Sequence, residues 1–392
     1  MNKTKQLFLA GLLACSLPLA GCAEPSSSVS SSSTSSTTSS ATSVVDDGIT
    51  KIALLINGNL GDMSFFDSAA AGMSKFQTDY PDTVVRIVEM GTDSTRWEPT
   101  LRSTANEDFD LIIVGTTDMR EPLQRLVRNS KYANKRFVLF DTEIEDNNAA
   151  NYSTVHSILF KQNEGGYLAG ALAALMTIAA GKTKTGFVGG MKIDIINDFG
   201  YGFMQGVQAV NAAYATNVLS YNAYVGDFFN SPKGKSLADT MYGEGNVDVL
   251  FAAASQAGLG CLDSAKNNAK YVIGVDSDQY DYFKDLDPTK ASRIVTSVLK
   301  RVDLALYEAS EAFMNGELEY GTLSYLGIKE GKIGIVENAL YESIVSADHR
   351  AYIDSLIAGI SDGTITVNSG LRRFTTLEQL NALYDALDPN KQ

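Results

Sequence analysis

A carboxylate and a lysine follow two β-branched, apolar runs in the second half of the chain. Residues 271–275 lead into Asp276, and residues 294–299 lead into Lys300. Such runs are typical of strands buried on both faces, and open α/β sheets bind ligands at the carboxyl ends of their strands. A carboxylate accepts hydrogen bonds from two hydroxyls and a lysine donates to an oxygen, so the pair suits a polyol such as ribose. An ordinary ion pair between two strand ends is an equally good interpretation of the residues alone.

Aromatic residues lie just past other strand-like segments. They are Phe65, Phe66, Phe199, Phe228 and Phe229. Rings from opposite sides of a cleft can sandwich a flat ligand while polar groups fix its orientation. Packing of each ring against a sheet is the alternative.

The sequence lacks a recognisable catalytic or metal-binding pattern. Its two histidines, His156 and His349, are far apart and have no metal-ligand spacing. Neither a nucleophile elbow nor a phosphate-binding P-loop is present. Gly258 and Gly260 begin a dinucleotide-binding pattern, but Asp263 stands where the third glycine belongs, so a tight turn explains them better. We therefore expect a protein without catalytic residues, cofactor or metal.

The elements that position these residues alternate between strand and helix. Strands are predicted at 51–57, 84–90, 111–116, 136–142 and 153–160, and helices at 65–78, 96–106 and 119–129. Ser64 is expected to cap the first helix. This alternation predicts a parallel sheet with helices on both faces.

The same rhythm restarts after residue 160. Strands at 185–191, 218–226, 247–254 and 270–277 alternate with helices at 164–180, 195–213, 232–242 and 258–268. A second run of this kind predicts two similar lobes. Beyond Arg301 we expect a helix at 302–314, a hairpin at 322–336, a helix at 347–361 and an exposed tail at 362–369.

The first 22 residues have the pattern of a lipoprotein signal peptide. Lys3 and Lys5 precede an apolar segment at 7–19, which is too short for a permanent membrane span. Leu19-Ala20-Gly21-Cys22 matches a lipobox, so Cys22 is expected to carry lipid; an ordinary signal peptide that contains a cysteine is the alternative. Residues 26–43 are almost entirely Ser and Thr and are expected to form a flexible tether.

Composition argues against nucleic acid as a partner. The formal net charge is −14 and the sequence pI is about 4.7, which disfavours binding to polyanions. Of the three cysteines, Cys15 leaves with the signal, Cys22 is the lipid site and Cys261 is alone, so no internal disulfide is expected. The longest later apolar run, 168–180, is short for a membrane span.

Motifs along the domain resemble those of the basic membrane protein family of substrate-binding lipoproteins, of the purine nucleoside receptor type. They cover nearly the whole domain in order, and together they are specific. The matching segments are GDMSF (61–65), FKQNEGGYLAG (160–170), GFVGGM (186–191), YVGDF (224–228), KGK (233–235), GVDSDQ (274–279) and TSVLKRVD (296–303).

The resemblance implies an α/β architecture, the two-lobed type I periplasmic-binding-protein fold. Each lobe would be a mostly parallel sheet flanked by helices, with three chain crossings between lobes, one of them near 276–279. The expected organisation is a lipoprotein signal peptide at 1–22, a Ser/Thr-rich tether at 23–50, an N-terminal lobe at 51–157 plus about 280–320, and a C-terminal lobe at 158–279 plus about 321–370.

The resemblance also implies roles for individual residues. Phe65 and Phe228 match phenylalanines that stack on the base, and Phe199 matches one that lies near it. Asp276 and Lys300 match the residues that hold the ribose. Further positions expected along the ligand are Asn57, Asp62, Thr116, Ser255 and Gln256.

Three positions depart from the family pattern. Asn57 stands where the first strand usually ends in Asp, Phe66 replaces an Asn, and Ser255-Gln256-Ala257-Gly258 replaces a glycine-rich turn. An amide in place of a carboxylate changes which ligand groups can be satisfied, and an unmatched buried polar group costs about 1–3 kcal/mol. Ribose capture is therefore expected to be retained, and these three positions leave the base preference open.

These features predict a monomeric, lipid-anchored receptor on the extracytoplasmic side of the cell membrane. It would bind a nucleoside, a purine nucleoside first of all, and present it to an ABC transporter permease by closing its lobes. The alternatives are a receptor for a sugar or another small signalling molecule on the same fold, and a nucleoside-cleaving enzyme.

Overall fold

The computed structural model of the chain describes residues 48–371 and 377–391. The predicted signal peptide, Cys22 and nearly all of the tether lie outside the described residues. From Gly48 onward the chain forms one compact unit.

Strands predicted from the apolar runs are confirmed, with end points that differ by a few residues. The described residues contain twelve strands: β1 (Lys51–Ile56), β2 (Val84–Glu89), β3 (Leu111–Gly115), β4 (Arg136–Phe140), β5 (Val155–Phe160), β6 (Lys184–Gly189), β7 (Leu219–Tyr224), β8 (Val249–Ala253), β9 (Tyr271–Asp276), β10 (Ile294–Lys300), β11 (Thr322–Leu326) and β12 (Ile333–Ile335).

Helices lie between most of these strands. Within the described residues they are α1 (Phe65–Asp79), α2 (Trp97–Ala105), α3 (Thr117–Val127), α4 (Gln162–Ala179), α5 (Asp194–Tyr214), α6 (Ser231–Tyr242), α7 (Ser255–Asn268), α8 (Gln279–Phe283), α9 (Pro288–Ala291), α10 (Val302–Met314), α11 (Ala339–Ile344), α12 (Ala347–Asp362) and α13 (Leu377–Leu387). The sequence predictions missed the short helices α8, α9 and α11, and also α13. No helix in the described part of the chain combines the length and the apolarity needed to cross a bilayer.

The strands form two six-stranded sheets with matching order. The first runs β2-β1-β3-β4-β5-β11 and the second runs β7-β6-β8-β9-β10-β12. Every pairing is parallel except that of β10 with β12. In sheets of this order the ligand crevice opens at the carboxyl ends of the strands, where the order reverses between the first and third strands. The predicted two-lobed fold is confirmed.

The central strands are apolar throughout because helices cover both of their faces. In β1, residues Ile52 to Ile56 are fully buried, and β3 and β8 are buried along their whole length. The edge strand β2 is half exposed, and its side chains alternate between the interior and solvent. Burial therefore follows each strand's place in the sheet.

The chain passes between the sheets three times within the described residues, at Lys161, at Arg301 and at 327–332. The lobe boundaries expected at about 280 and 321 do not follow the sheets. Strand β10 extends the second sheet beside β9, and β11 extends the first sheet beside β5. The crossing expected at 276–279 is absent, because β9 leads through α8 and α9 into β10 of its own sheet. The crossing instead follows directly after Lys300.

Two expectations for the end of the chain were wrong. The predicted hairpin at 322–336 does not form, because β11 pairs with β5 while β12 pairs with β10 in the other sheet. The predicted exposed tail is partly buried against the second lobe. Val367 accepts a hydrogen bond through its backbone oxygen from the Asn163 side chain at 2.9 Å, and the Ser369 hydroxyl donates to Asp198 at 2.8 Å.

Candidate ligand-binding cleft

A cavity of about 340 Å³ lies between the carboxyl ends of the two sheets. Its wall includes Asn57 and Thr116, which follow β1 and β3, and Met191 and Ser255, which follow β6 and β8. These are the strand pairs at which the order of each sheet reverses. Both sheets therefore direct their expected ligand-binding edges into one space.

Most of the residues expected along the ligand lie in the wall of this cavity. They are Asn57, Phe65, Thr116, Phe199, Phe228, Ser255, Asp276 and Lys300. Asp62 and Gln256 do not line it. Gln256 is half-buried near the start of α7.

The Asp62 carboxylate is hydrogen-bonded to backbone amides at the start of α1. It accepts hydrogen bonds from the backbone amides of Ser64 at 3.1 Å, Phe66 at 2.9 Å and Asp67 at 3.1 Å, and from the Ser255 hydroxyl at 2.9 Å. Burial raises the pKa of Asp62, and the amide hydrogen bonds oppose that rise. The prediction that Ser64 caps α1 was wrong, because its hydroxyl makes no bond to the helix and Asp62 satisfies these amides instead.

First-lobe phenylalanines form one wall of the cavity. Phe65 meets Phe66 edge to face, with 5.3 Å between ring centroids, and stacks on Phe140 at 5.6 Å. Phe66 lies over Gly58, where an added Cβ would be 2.5 Å from the ring. A glycine after β1 is therefore what admits the Phe66 ring.

Second-lobe phenylalanines form the opposite wall. Phe228 is half-buried and lies over Gly190, where an added Cβ would be 2.4 Å from the ring. Phe199, at the start of α5, packs edge to face on Phe251 with 5.8 Å between centroids. Aromatic rings of both lobes thus border one cavity.

Lys300 is the buried cation of the cavity, and its side chain is 2% exposed. Its amine pairs with the Asp141 carboxylate, which follows β4 of the first sheet. The amine also lies 5.3 Å from the centroid of Phe65 and 5.6 Å from that of Phe199. The ion pair considered between Lys300 and Asp276 is thus replaced by one that joins the two lobes. Burial raises the pKa of Asp141, and the attraction of Lys300 opposes it.

Asp276 is the other charged group that the second sheet places in the cavity. The Ser64 hydroxyl donates to its Oδ2 at 2.5 Å. Burial raises the pKa of Asp276 to about 7, although Lys300 and the Ser64 hydrogen bond act in the opposite direction. Near neutral pH this carboxyl group therefore exchanges between its acidic and ionised forms.

Asn57 is held within the first lobe by its neighbour across the sheet. Its Nδ2 donates to the Thr116 hydroxyl at 2.8 Å. Its Oδ1 is buried and has no hydrogen-bond partner among residues 48–371 and 377–391. A buried acceptor without a partner is costly unless a ligand or water supplies a donor, so the Asn57 oxygen is a candidate contact for a ligand N–H or O–H.

Four residues in the cavity wall have left-handed backbone conformations that non-glycine residues rarely adopt. Their φ angles are 71° for Thr116, 60° for Asp141, 48° for Ser255 and 67° for Asp276. Such conformations cost about 1–3 kcal/mol each and tend to cluster at ligand and active sites. All four stand at the ends of strands β3, β4, β8 and β9, which supports this edge as the functional one.

Several wall residues were missed as ligand contacts. They are Thr92, Ser94, Trp97, Thr117, Asp118, Asp141, Met191, Ile193, Ile195, Ile196, Ala253 and Val275. Phe66 and Phe229, which the sequence offered as stacking rings, also line the wall. Asp141 had a usable signal, because it ends a predicted strand just as Asp276 does. Trp97 and the isoleucines lie in helices or loops at positions that only the folded chain brings to the cleft.

Two larger cavities, of about 510 and 940 Å³, differ in character. The first is lined by Asp278, Arg301 and Asp303 among others, and the second by Glu145 and Asp146 among others. Neither lining contains a phenylalanine ring. Across residues 48–371 and 377–391, no group of three or more His, Cys, Asp or Glu side chains could hold a metal ion. Of these three cavities, the one between the strand ends is lined by phenylalanine rings together with the buried Asp276 and Lys300.

A family model covers most of the chain. The Bmp family, described as ABC transporter substrate-binding protein PnrA-like, matches residues 49–363. This span includes both sheets and every residue of the cavity wall.

Curated relatives agree with the family match. A CD4+ T-cell-stimulating antigen of Listeria monocytogenes is 31% identical over 385 residues, covering 93% of this chain and 98% of the relative. Basic membrane protein A of Borreliella afzelii is 28% identical and covers 83% of this chain and 93% of its own length. The ABC transporter nucleoside-binding protein BmpA of Lactococcus lactis is 29% identical, with 81% of this chain and 89% of the relative covered.

Solved structures share the fold. A solute-binding protein of an ABC transporter system from Aeropyrum pernix superposes with a TM-score of 0.73 at 26% identity, covering 86% of this chain and 99% of that one. An ABC transporter solute-binding protein from Bacillus halodurans with bound myo-inositol has a TM-score of 0.54 at 14% identity, covering 79% and 99%, which shows the fold alone. The chain therefore belongs to the Bmp family of PnrA-like ABC transporter substrate-binding proteins, extracytoplasmic, membrane-associated proteins that bind a solute and work with a permease.

Proposed function

We propose that this protein captures a nucleoside, a purine nucleoside first of all, in the cleft between its lobes and delivers it to an ABC importer without catalysing a reaction. The observation that carries the proposal is one cavity that combines rings of both lobes with a buried carboxylate and a buried lysine. Its volume of about 340 Å³ lies within the range of small-molecule sites, about 300–1,000 Å³. The Lactococcus relative is named a nucleoside-binding protein, which supports the same class of ligand.

The two parts of a nucleoside match two kinds of group in the wall. A flat base gains affinity by stacking on aromatic rings, for which Phe65 and Phe228 stand on opposite lobes. Ribose hydroxyls donate to a carboxylate, and a ribose oxygen accepts from an ammonium, for which Asp276 and Lys300 are placed. The Oδ1 atom of Asn57 would accept a hydrogen bond from an N–H or O–H group of the ligand.

A panel of ligands tests the proposal directly. Calorimetric titration with guanosine, inosine, adenosine, cytidine, uridine, free guanine and D-ribose should show the tightest binding for a purine nucleoside. The free base and the free sugar should each bind at least about 100-fold more weakly, because each lacks half of the contacts. Tighter binding of D-ribose or another sugar would favour the sugar-receptor alternative. Release of free base from inosine would favour the alternative that the protein is a nucleoside-cleaving enzyme.

Matched variants locate the site. Phe228→Ala and Asp276→Ala should abolish measurable nucleoside binding while the domain keeps its fold, as judged by circular dichroism. Phe313→Ala removes a half-buried ring on α10, and Asp198→Asn changes a buried carboxyl group; neither residue lines the cavity. The two controls should keep wild-type affinity, and similar losses in all four variants would contradict the assignment.

We also propose that the mature protein is a lipid-anchored monomer on the extracytoplasmic face of the cell membrane. The lipobox ending at Cys22 and the Ser/Thr-rich segment after it support this proposal. Mass spectrometry of the mature amino terminus should find a diacylated Cys22, and Cys22→Ala should move the protein from the membrane fraction to the medium. Light scattering of the domain should give the mass of one chain.

A further inference from the structure

The loop Asp62–Ser64, in front of α1, reaches from the first lobe to the second. Its side chains and backbone make hydrogen bonds with the end of β9 and with residues that follow β8 and β9, including the first residue of α8. The bonds join Ser255 Oγ to Asp62 Oδ2 (2.9 Å), Ser64 Oγ to Asp276 Oδ2 (2.5 Å), Ser64 Oγ to the Val275 oxygen (3.4 Å), Ser277 Oγ to the Ser64 oxygen (3.2 Å) and Gln279 Nε2 to the Met63 oxygen (3.2 Å).

Ser64 has a single hydroxyl proton to give. Asp276 Oδ2 is much nearer than the Val275 oxygen, so the proton lies towards the carboxylate. Ser64 is fully buried, and its hydroxyl plays no part in capping α1. Among the described residues no hydrogen bond reaches Asp276 Oδ1, which leaves this oxygen for a molecule in the cavity.

Asp62 is 3% exposed and accepts a hydrogen bond from Ser255 of the second lobe, whereas Ser64 donates one to Asp276. Its two oxygens are shared between the amides at the start of α1 and the Ser255 hydroxyl, so it has no acceptor left for a ligand. Both second-lobe partners line the cavity and hold left-handed φ angles, 48° at Ser255 and 67° at Asp276. Conformations of this cost persist where surrounding contacts fix them.

We infer that Asp62 and Ser64 are positioning residues of the ligand site: from the first lobe they fix Ser255 and Asp276 of the second, so that closing the lobes turns Asp276 Oδ1 towards the ligand. This inference rests on the proposal that Asp276 contacts the ligand. Neither loop residue touches the ligand itself. Asp62 affects ligand affinity through Ser255, and Ser64 affects it through Asp276.

The test uses Ser64→Ala with two comparisons. Ser64→Thr keeps the hydroxyl, and Ser68→Ala removes a buried serine one turn further along α1 that accepts a hydrogen bond from the Asp303 amide within the first lobe. Ligand dissociation can be followed by the fluorescence of Trp97, which lines the cavity and is the sole tryptophan of the chain. Ser64→Ala should lower inosine affinity about 10-fold or more, chiefly through faster dissociation. Ser64→Thr and Ser68→Ala should stay within about 2-fold of wild type.

A pH profile separates positioning from general loosening of the fold. The groups that face Asp276 are Ser64, Lys300, Asp62 and Asp141. Because the Ser64 hydrogen bond lowers the pKa of Asp276, its removal should move the midpoint of pH-dependent binding to higher pH. Ser68→Ala should leave that midpoint unchanged. An unchanged midpoint in Ser64→Ala would overturn the inference.

Lobe closure can be measured without a ligand. Spin labels on cysteines introduced as Lys131→Cys and Glu244→Cys, one exposed position in each lobe, report the interlobe distance, and the native Cys261 is buried. Ser64→Ala should broaden and lengthen this distance distribution, and Ser68→Ala should not. If nucleosides fail to bind but the distance still changes, the proposed ligand is wrong and the positioning role stands. If nucleosides bind and Ser64→Ala matches Ser68→Ala in both readouts, the positioning role alone is refuted.

Discussion

The two lobes contribute polar groups to the cleft in different ways. Asn57 and Thr116 of the first lobe are hydrogen-bonded to each other, so their arrangement does not need the second lobe. Asp276 and Lys300 of the second lobe take their partners, Ser64 and Asp141, from across the cleft. The second-lobe groups therefore depend on closure, and the first-lobe pair does not.

The aromatic walls are alike where the polar groups differ. In each lobe a glycine just after the first strand of the sheet lies beneath a phenylalanine, Gly58 beneath Phe66 and Gly190 beneath Phe228. The shared strand order explains this, because β1 and β6 occupy the same place in their sheets. Stacking surfaces thus follow from the repeated fold, and charge pairing follows from how the lobes meet. Substitutions should accordingly have their largest effects at the cross-lobe groups.

Lys300→Met should have the largest effect. It leaves Asp141 and Asp276 buried without their cation, and breaking a buried ion pair on one side costs about 3–5 kcal/mol in the free energy of unfolding. Urea denaturation at pH 8, where both carboxyls are ionised in the unfolded chain, measures this loss. Asn57→Ala, which breaks the pair within the first lobe, should cost only about 1 kcal/mol. Equal losses would remove the distinction between the lobes.

The pH dependence of Asp276 should act in opposite directions on stability and on affinity. Its pKa is about 7 in the folded protein against 3.8 for the ordinary side chain, so the folded state binds the extra proton between these values. This contribution to the free energy of unfolding therefore grows as pH falls from about 7 towards 4 and is absent above 7. Nucleoside affinity should fall over the same range by up to roughly tenfold per pH unit, because ribose hydroxyls donate to the ionised form.

Asp198 supplies the matched control for this prediction. Burial also raises its pKa to about 7, yet it does not line the cavity. Asp198→Asn should flatten part of the stability profile and change the affinity profile much less than Asp276→Asn does, because Asp198 acts on the site only through the attraction of Lys300. If Asp198→Asn changes the pH dependence of affinity and Asp276→Asn does not, Asp276 does not contact the ligand.

Gly190→Ala and Gly58→Ala should lower affinity without unfolding the protein. The atoms that the new methyl group meets belong to the rings of Phe228 and Phe66, which can swing aside. Gly190→Ala should have the greater effect, about tenfold in affinity, because the Ala254 backbone also confines that position at 3.4 Å. Calorimetry with inosine measures the affinity of each variant, and a thermal melt shows whether the variant stays folded. A large fall in melting temperature would show that the rings cannot move.

Asn57→Asp should have the smallest effect on overall affinity, and it should change the ranking of ligands. The Thr116 hydroxyl can turn to donate to the new carboxylate, which then offers a second acceptor to the ligand. The guanine edge carries two adjacent donors, so the ratio of guanosine to adenosine affinity should rise a few-fold. Thr117→Ser, at a neighbouring wall position, should leave the ratio unchanged. The same ratio in Asn57→Asp and wild type would place Asn57 away from the base.

Local pattern was sufficient for the alternating strands and helices of both lobes and for part of the cavity wall. Apolar runs ending in polar residues located Asp276 and Lys300 correctly at strand ends, because that periodicity reflects burial on both faces. Local pattern did not predict contacts between segments that are distant in the sequence. Nothing next to Ser64 shows that its hydroxyl meets Asp276, and nothing near residue 322 shows that β11 pairs with β5. The partner of Lys300 was missed for the same reason.

The first sheet cannot be completed from the first half of the chain. Its last strand, β11, and the helix α10 come after all of β6 to β10. Glu311 of α10 accepts a hydrogen bond at 2.5 Å from Tyr80, the residue that follows α1. Pairings between distant segments form slowly, because loop-closure entropy opposes them. A growing chain that has not yet reached Val302 lacks the cover for both α1 and the edge of β5. The lobe that is synthesised first should therefore finish folding last, after the contiguous strands of the second sheet have assembled.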